Sequence, residues 1–129
     1  MADTEQGSFL PRGPVGVWRA LIWSLKGLRA AWRLESSFRL EVYVFVLLAP
    51  AALHWGASPL EKAWLVGSLL LVLSAELLNS AIEALIERYG AEYHELAGRA
   101  KDMGSAAVFV LMLNVVLSFG LLLGPRLLG

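Results

Sequence analysis

The chain is predicted to be an all-α membrane protein, with an amphipathic surface helix followed by three transmembrane helices. Three observations carry that expectation. Hydrophobic residues make up 57% of the sequence and mean hydropathy is +0.62, more apolar surface than a soluble core of 129 residues can hide. Three stretches, residues 42–60, 63–75 and 103–125, contain no Asp, Glu, Lys or Arg, and long uncharged apolar runs are what a bilayer core requires. Ahead of them runs a segment whose Trp, Leu and Ile recur on one side with Lys and Arg beside them.

The same composition narrows the chemistry. There is no cysteine, so disulfides and thiol reactions are excluded. With two histidines and no cysteine, a zinc site is not expected. Formal net charge is zero, so bulk charge points to no nucleic-acid partner. One domain is expected at this length: a mobile tail over 1–16, then a membrane domain over 17–129. No apolar signal-peptide core precedes a cleavage site in the polar, proline-containing start.

In chain order, Trp18, Leu21, Ile22, Leu25, Leu28 and Trp32 follow helical spacing and predict a surface helix over 17–34, with Arg19, Lys26, Arg29 and Arg33 as its basic strip. Residues 35–41 read as a polar hinge. The first span is expected at about 38–56, kinked or shortened by Pro50, with Trp55 at the far interface. Ser58 then serves as N-cap and Pro59 as the first helical residue of a second span at 60–89, which Gly90 terminates. Residues 91–102 read as a polar connector, and the third span as 103–125. Asn114 is its one strongly polar side chain, of the type that joins helices inside bilayers. Six of the eleven basic residues fall in 12–39 and three in 88–101. The positive-inside rule therefore puts the N-terminus in the cytoplasm and the C-terminus in the periplasm.

The informative stretch is on the second span. At about 100° per residue, Glu76, Asn79, Glu83 and Glu87 fall within an arc of about 80° on one helix face. Counting about 1.5 Å per residue from Lys62, Glu76 lies roughly 20 Å in and Glu83 roughly 30 Å in. The stripe thus begins past the midplane and emerges at the cytoplasmic side. A carboxylate near the bilayer centre costs about 2.5–3.5 kcal/mol on insertion scales, so these groups are expected to have a use. Glu35, Arg39 and Glu41 before the first span, and Glu92, His94, Lys101 and Asp102 in the connector, converge on the same side. Carboxylates from two elements suit a hard cation such as Mg²⁺. A buried carboxylate suits a general base, and a lysine suits a phosphate. Together they fit phosphoryl transfer to a membrane-embedded hydroxyl. An acidic stripe in a span equally fits a proton or cation transport pathway, and an assembly role is the third reading. No P-loop or GxGxxG occurs.

Four strings carry a family resemblance: WSLKGLRAAW at 23–32, ESSFRLE at 35–41, AELLNSAIE at 75–83 and EYHELAGRAKDMGSAAV at 92–108. They resemble the small integral-membrane diacylglycerol kinases of Gram-negative bacteria, over about residue 23 to the C-terminus. A related Gram-positive branch phosphorylates undecaprenol, and the GRAKDMGSAA run looks like the diacylglycerol branch. The resemblance implies a homotrimer in the bacterial inner membrane, with composite sites that move the γ-phosphate of ATP to diacylglycerol and so make phosphatidate. It implies Glu76 as general base, Glu35 and Glu83 as Mg²⁺ ligands, and Asn79 in support together with Glu87. For the nucleotide it implies Trp23, Glu35, Glu83, Glu92, Tyr93, His94, Lys101 and Asp102. For the lipid it implies Arg29, Ala30, Ala31, Trp32, Ser37, Phe38, Arg39, Leu40, Glu41, Glu76 and Ser105. Two positions depart from the family. Glu87 stands where an aspartate is usual, and Gly16 aligns with a functional arginine, leaving Arg12 or Arg19 as stand-ins.

Overall fold

The computed structural model describes residues 13–89 and 94–129. Four helices account for nearly all of them: α1 Pro14–Leu34, α2 Ser36–Trp55, α3 Pro59–Arg88 and α4 Glu95–Leu128. No strand occurs among the described residues. The expected tail lies outside the described residues up to residue 12. Pro14, Val15 and Gly16 belong to α1, which starts earlier than its apolar spacing suggests. Gly13 precedes it at φ 85°, ψ −164°, a conformation open in practice only to glycine, and Pro14 supplies a preset first helical φ.

The polar hinge contracts to one residue. Glu35, extended at φ −113° and ψ 105°, is at once the C-cap of α1 and the N-cap of α2. The Arg39 guanidinium reaches back and donates to the carbonyls of Trp32 at 2.8 Å and Arg33 at 3.2 Å. These carbonyls belong to the last turn of α1, where no helical partner remains for them and a cation is favoured. Across the same joint the rings of Trp32 and Tyr43 meet edge to face at 5.8 Å and 81°. Ser36 and Ser37 are thus the first turn of α2.

α2, α3 and α4 are each long and apolar enough to cross a membrane. α2 runs unbroken through Pro50. The turn to α3 is capped at both ends of a short motif. Ser58 Oγ accepts from the Glu61 amide at 3.2 Å, and the Glu61 carboxylate accepts from the Ala57 amide at 2.8 Å, a capping box shifted by one residue. At the same end Arg126 of α4 donates to both Glu61 oxygens, at 2.5 and 2.6 Å, and to the Trp55 carbonyl at 2.8 Å. This clasp ties the last turn of α4 to the α2–α3 turn. Beside it Trp64 Nε1 donates to Ser118 Oγ at 3.0 Å.

α3 is the central helix. In its most apolar window 44% is buried, against 22% in α2 and 17% in α4. Its buried residues are Leu65, Ser68, Leu69, Val72, Ala75, Glu76, Asn79 and Ser80, a stripe at helical spacing. α2 and α4 pack on it, and α1 touches α2 and α3. At the clasp end Ala52, Leu65 and Leu123 form an apolar cluster, one residue from each span. At the other end the buried stripe becomes polar.

Candidate active site

The polar end of the α3 stripe faces into the helix bundle. Glu76 is 5% exposed and Asn79 8%. One turn on, Glu83 is partly exposed, and Glu87 is exposed. The four residues share a face, as their spacing predicts, and accessibility rises steadily along it. Two carboxyl groups from outside α3 join them. Glu41, one turn into α2 and 8% exposed, brings its carboxyl group within hydrogen-bond reach of Glu76. Glu35, at the α1–α2 joint, and Glu83 lie close enough to act on Glu76 electrostatically.

This arrangement leaves unmet polar demand. Glu41 Oε2 is buried and has no hydrogen-bond partner; the same holds for Asn79 Oδ1 and Ser80 Oγ. None of these five glutamates pairs with a basic side chain among the described residues. Ionised carboxylates are acceptors only, so clustered ones need a proton or a cation between them. Among the described residues no three acidic or histidine side chains converge to cage a metal by themselves. Mg²⁺ is commonly held by one or two carboxylates, with substrate phosphates and water completing its shell. The donor set at Glu35 and Glu83 fits such an ion. Asn79 Nδ2 donates to Glu83 Oε1 in a long contact of 3.5 Å.

The remaining residues divide by element. Lys101, Asp102 and Ser105 are exposed residues of α4. The expected connector therefore ends at His94, because α4 begins at Glu95 and extends well beyond the uncharged run. His94 is exposed and caps α4, its Nδ1 accepting from the Leu96 amide at 3.1 Å. Lys101 and Asp102 make no hydrogen bond or ion pair among the described residues. Glu92, Tyr93 and the terminating Gly90 lie outside the described residues. Trp23, Arg29, Ala30 and Trp32 are exposed on α1, while Ala31 is buried. A groove of about 570 Å³ runs between α1 and α3, lined by Ser24, Gly27, Ala31, Glu35, Ser80 and Ala84 among others. Phe38 is buried, Leu40 and Ser37 are exposed, and Arg39 serves the joint.

Two features escape the sequence. Glu41 is the partner of Glu76, a pairing that spacing within one helix cannot reveal because the two residues sit on different helices. Gly104 lies directly against Asn79: a Cβ there would stand 2.5 Å from Asn79 Oδ1.

Three spans with a carboxylate cluster buried at one end define a multi-pass membrane protein with a polar site inside its helix bundle. Comparison with known proteins is specific. Residues 22–123 match the sequence profile of the prokaryotic diacylglycerol kinase family. A diacylglycerol kinase of Escherichia coli is 49% identical over 106 residues, covering 81% of this chain and 86% of that one. One from Pseudomonas aeruginosa is 42% identical over 115 residues, covering 87% and 94%, and one from Haemophilus influenzae 43% over 98, covering 76% and 83%. The chain belongs to the prokaryotic diacylglycerol kinase family and is a lipid kinase.

Proposed function

We propose that this protein transfers the γ-phosphate of ATP to the free hydroxyl of diacylglycerol, yielding phosphatidate and ADP, at the cytoplasmic face of a bacterial inner membrane. The observation that carries the reading is the accessibility gradient on α3, from buried Glu76 through partly exposed Glu83 to exposed Glu87. A lipid alcohol arrives from the bilayer and a nucleotide from water, so the acceptor's base and the donor's ligands belong at opposite ends of such a gradient.

In this mechanism Glu76 takes the hydroxyl proton as the lipid oxygen bonds to the γ-phosphorus and the bond to the ADP oxygen breaks. Glu35 and Glu83 would hold Mg²⁺, which when bound would supply positive charge to offset that of the phosphate oxygens. Asn79 orients Glu83. Lys101 and Asp102, with Glu92, Tyr93, His94 and Trp23, receive the nucleotide. Arg29, Trp32 and Ser105 flank the lipid head. The working unit is a homotrimer in which neighbouring protomers complete each site; the many exposed apolar side chains on α4, such as Phe109, Leu113 and Leu117, leave surface for neighbours or lipid.

The test is purified protein in phospholipid bilayers supplied with ATP, Mg²⁺ and either diacylglycerol or undecaprenol. Radiolabelled phosphatidate with diacylglycerol is the expected product. Preferential labelling of undecaprenol would move the chain to the other branch, and ion flux without ATP would favour transport. Glu76→Gln, which keeps shape and loses the base, should lower kcat by about 10²–10⁴-fold with the fold intact by circular dichroism. Unchanged turnover in that variant would remove Glu76 from its role.

A further inference from the structure

Gly104 sits in the interior of α4, where glycine is costly relative to alanine. Its neighbour explains its presence. The Cβ position of residue 104 lies 2.5 Å from Asn79 Oδ1 and 3.4 Å from Ile82 Cδ1, so the glycine hydrogen in that direction points at the amide oxygen. Carbon-bound hydrogens recur as weak donors at such helix–helix contacts. Gly104 is buried, and Asn79 Oδ1 has no other donor. The other end of the same amide, Nδ2, faces Glu83 Oε1 at 3.5 Å. An amide has two ends, and here one sits against a C–H and the other against a carboxylate. Reversing it would put oxygen against oxygen at Glu83 and an N–H against carbon at Gly104.

We propose that Gly104 is a positioning residue for the phosphoryl-transfer site. By lacking a side chain it lets α4 close on α3, which seats the Asn79 amide oxygen against α4 and turns its NH₂ towards Glu83. One Glu83 oxygen is thereby engaged, and the other is presented to the cation. The inference rests on Glu83 being a metal ligand, as proposed above. It adds a residue on a different helix that acts only through Asn79. An added methyl must displace Asn79 Oδ1, because a carbon and an unbonded oxygen cannot stand 2.5 Å apart.

The experiment uses full-length protein in phospholipid bilayers: wild type, Gly104→Ala, Asn79→Ala and the double variant. Mn²⁺ affinity is read by electron paramagnetic resonance with the β,γ-imido analogue of ATP, alongside KM for diacylglycerol and detergent-induced unfolding. Gly104→Ala should weaken Mn²⁺ binding about 10-fold or more, the usual effect of losing an outer-shell contact, with KM for the lipid unmoved. In the Asn79→Ala background the further Gly104→Ala change should do nothing, because the group it displaces is gone. That double variant also serves if Gly104→Ala alone fails to fold, since removing Asn79 should restore folding. Wild-type Mn²⁺ affinity in Gly104→Ala, or a full second loss in the double variant, overturns the positioning role while an active wild type keeps the kinase reading. A wild type that neither binds Mn²⁺ nor makes phosphatidate overturns both.

Discussion

At the residue scale, the decisive pair is Glu41 and Glu76. Each is nearly enclosed, they come from different helices, and Glu41 Oε2 has no donor. A buried acceptor without a partner costs about 1–3 kcal/mol. Glu41→Gln keeps the volume and supplies an N–H that can donate to Glu76. The variant should therefore unfold at a higher temperature or detergent fraction than wild type. It should also phosphorylate more slowly, because a Glu76 lone pair needed for the hydroxyl proton is occupied. Parallel unfolding curves and initial rates check both; a less stable variant would show that Glu41 Oε2 is already satisfied by a bound group. The α3 half of this cluster was legible in the sequence, because 100° spacing puts Glu76, Asn79 and Glu83 on one face whatever surrounds them. The α2 half was legible as a polar cluster on the same side and, by resemblance, as a lipid-flanking role, but not as a partner of Glu76, since which face of α2 meets α3 is a tertiary fact.

At the scale of the element, the ends of helices show where sequence reasoning stops. Ser58 and Pro59 announce α3 by local chemistry, and Ser58 does cap it. Nothing local announces that the α1–α2 hinge is Glu35 alone. The seven polar or mixed residues there look like a loop until Arg39 is seen satisfying the α1 carbonyls from the first turns of α2. Nor does hydropathy locate the start of α4, because its first two turns are polar and only the His94 cap marks them. The clasp at the opposite end was equally hidden: Glu61 and Arg126 are 65 residues apart. One Arg126 nitrogen on both Glu61 oxygens, with the other on the Trp55 carbonyl, makes Arg126 more than an ordinary surface pair. Arg126→Ala should lower the unfolding midpoint with little change in initial phosphorylation rate, since the site is at the other end of the bundle. The difference should shrink in high salt, which screens exposed charge pairs.

At the scale of the whole molecule, topology is the property to measure. The basic residues predict that the carboxylate end faces the cytoplasm and the clasp end the periplasm. The chain has no cysteine, so a single engineered one reports without background. A cysteine at Ser8 should react with a membrane-impermeant maleimide only after cells are opened, and one at Gly129 should react in intact cells once the outer membrane is permeabilised. The opposite pattern would put the acidic cluster on the wrong side for ATP. The three-span architecture was the most legible property of all, because it depends on summed hydropathy rather than on any contact.

The joint at Glu35 has a mechanical meaning. One residue contributes a single φ/ψ pair, so there is no slack between α1 and α2. α2 spans about 30 Å, and a transmembrane helix meets a thinner or thicker bilayer by changing its tilt. With no loop to absorb that rotation, it arrives at the residue proposed to hold the metal. Bilayer thickness is thus an input to the geometry of the carboxylate cluster, and host lipids set a boundary condition on this site much as solvent viscosity does on a hinged soluble enzyme.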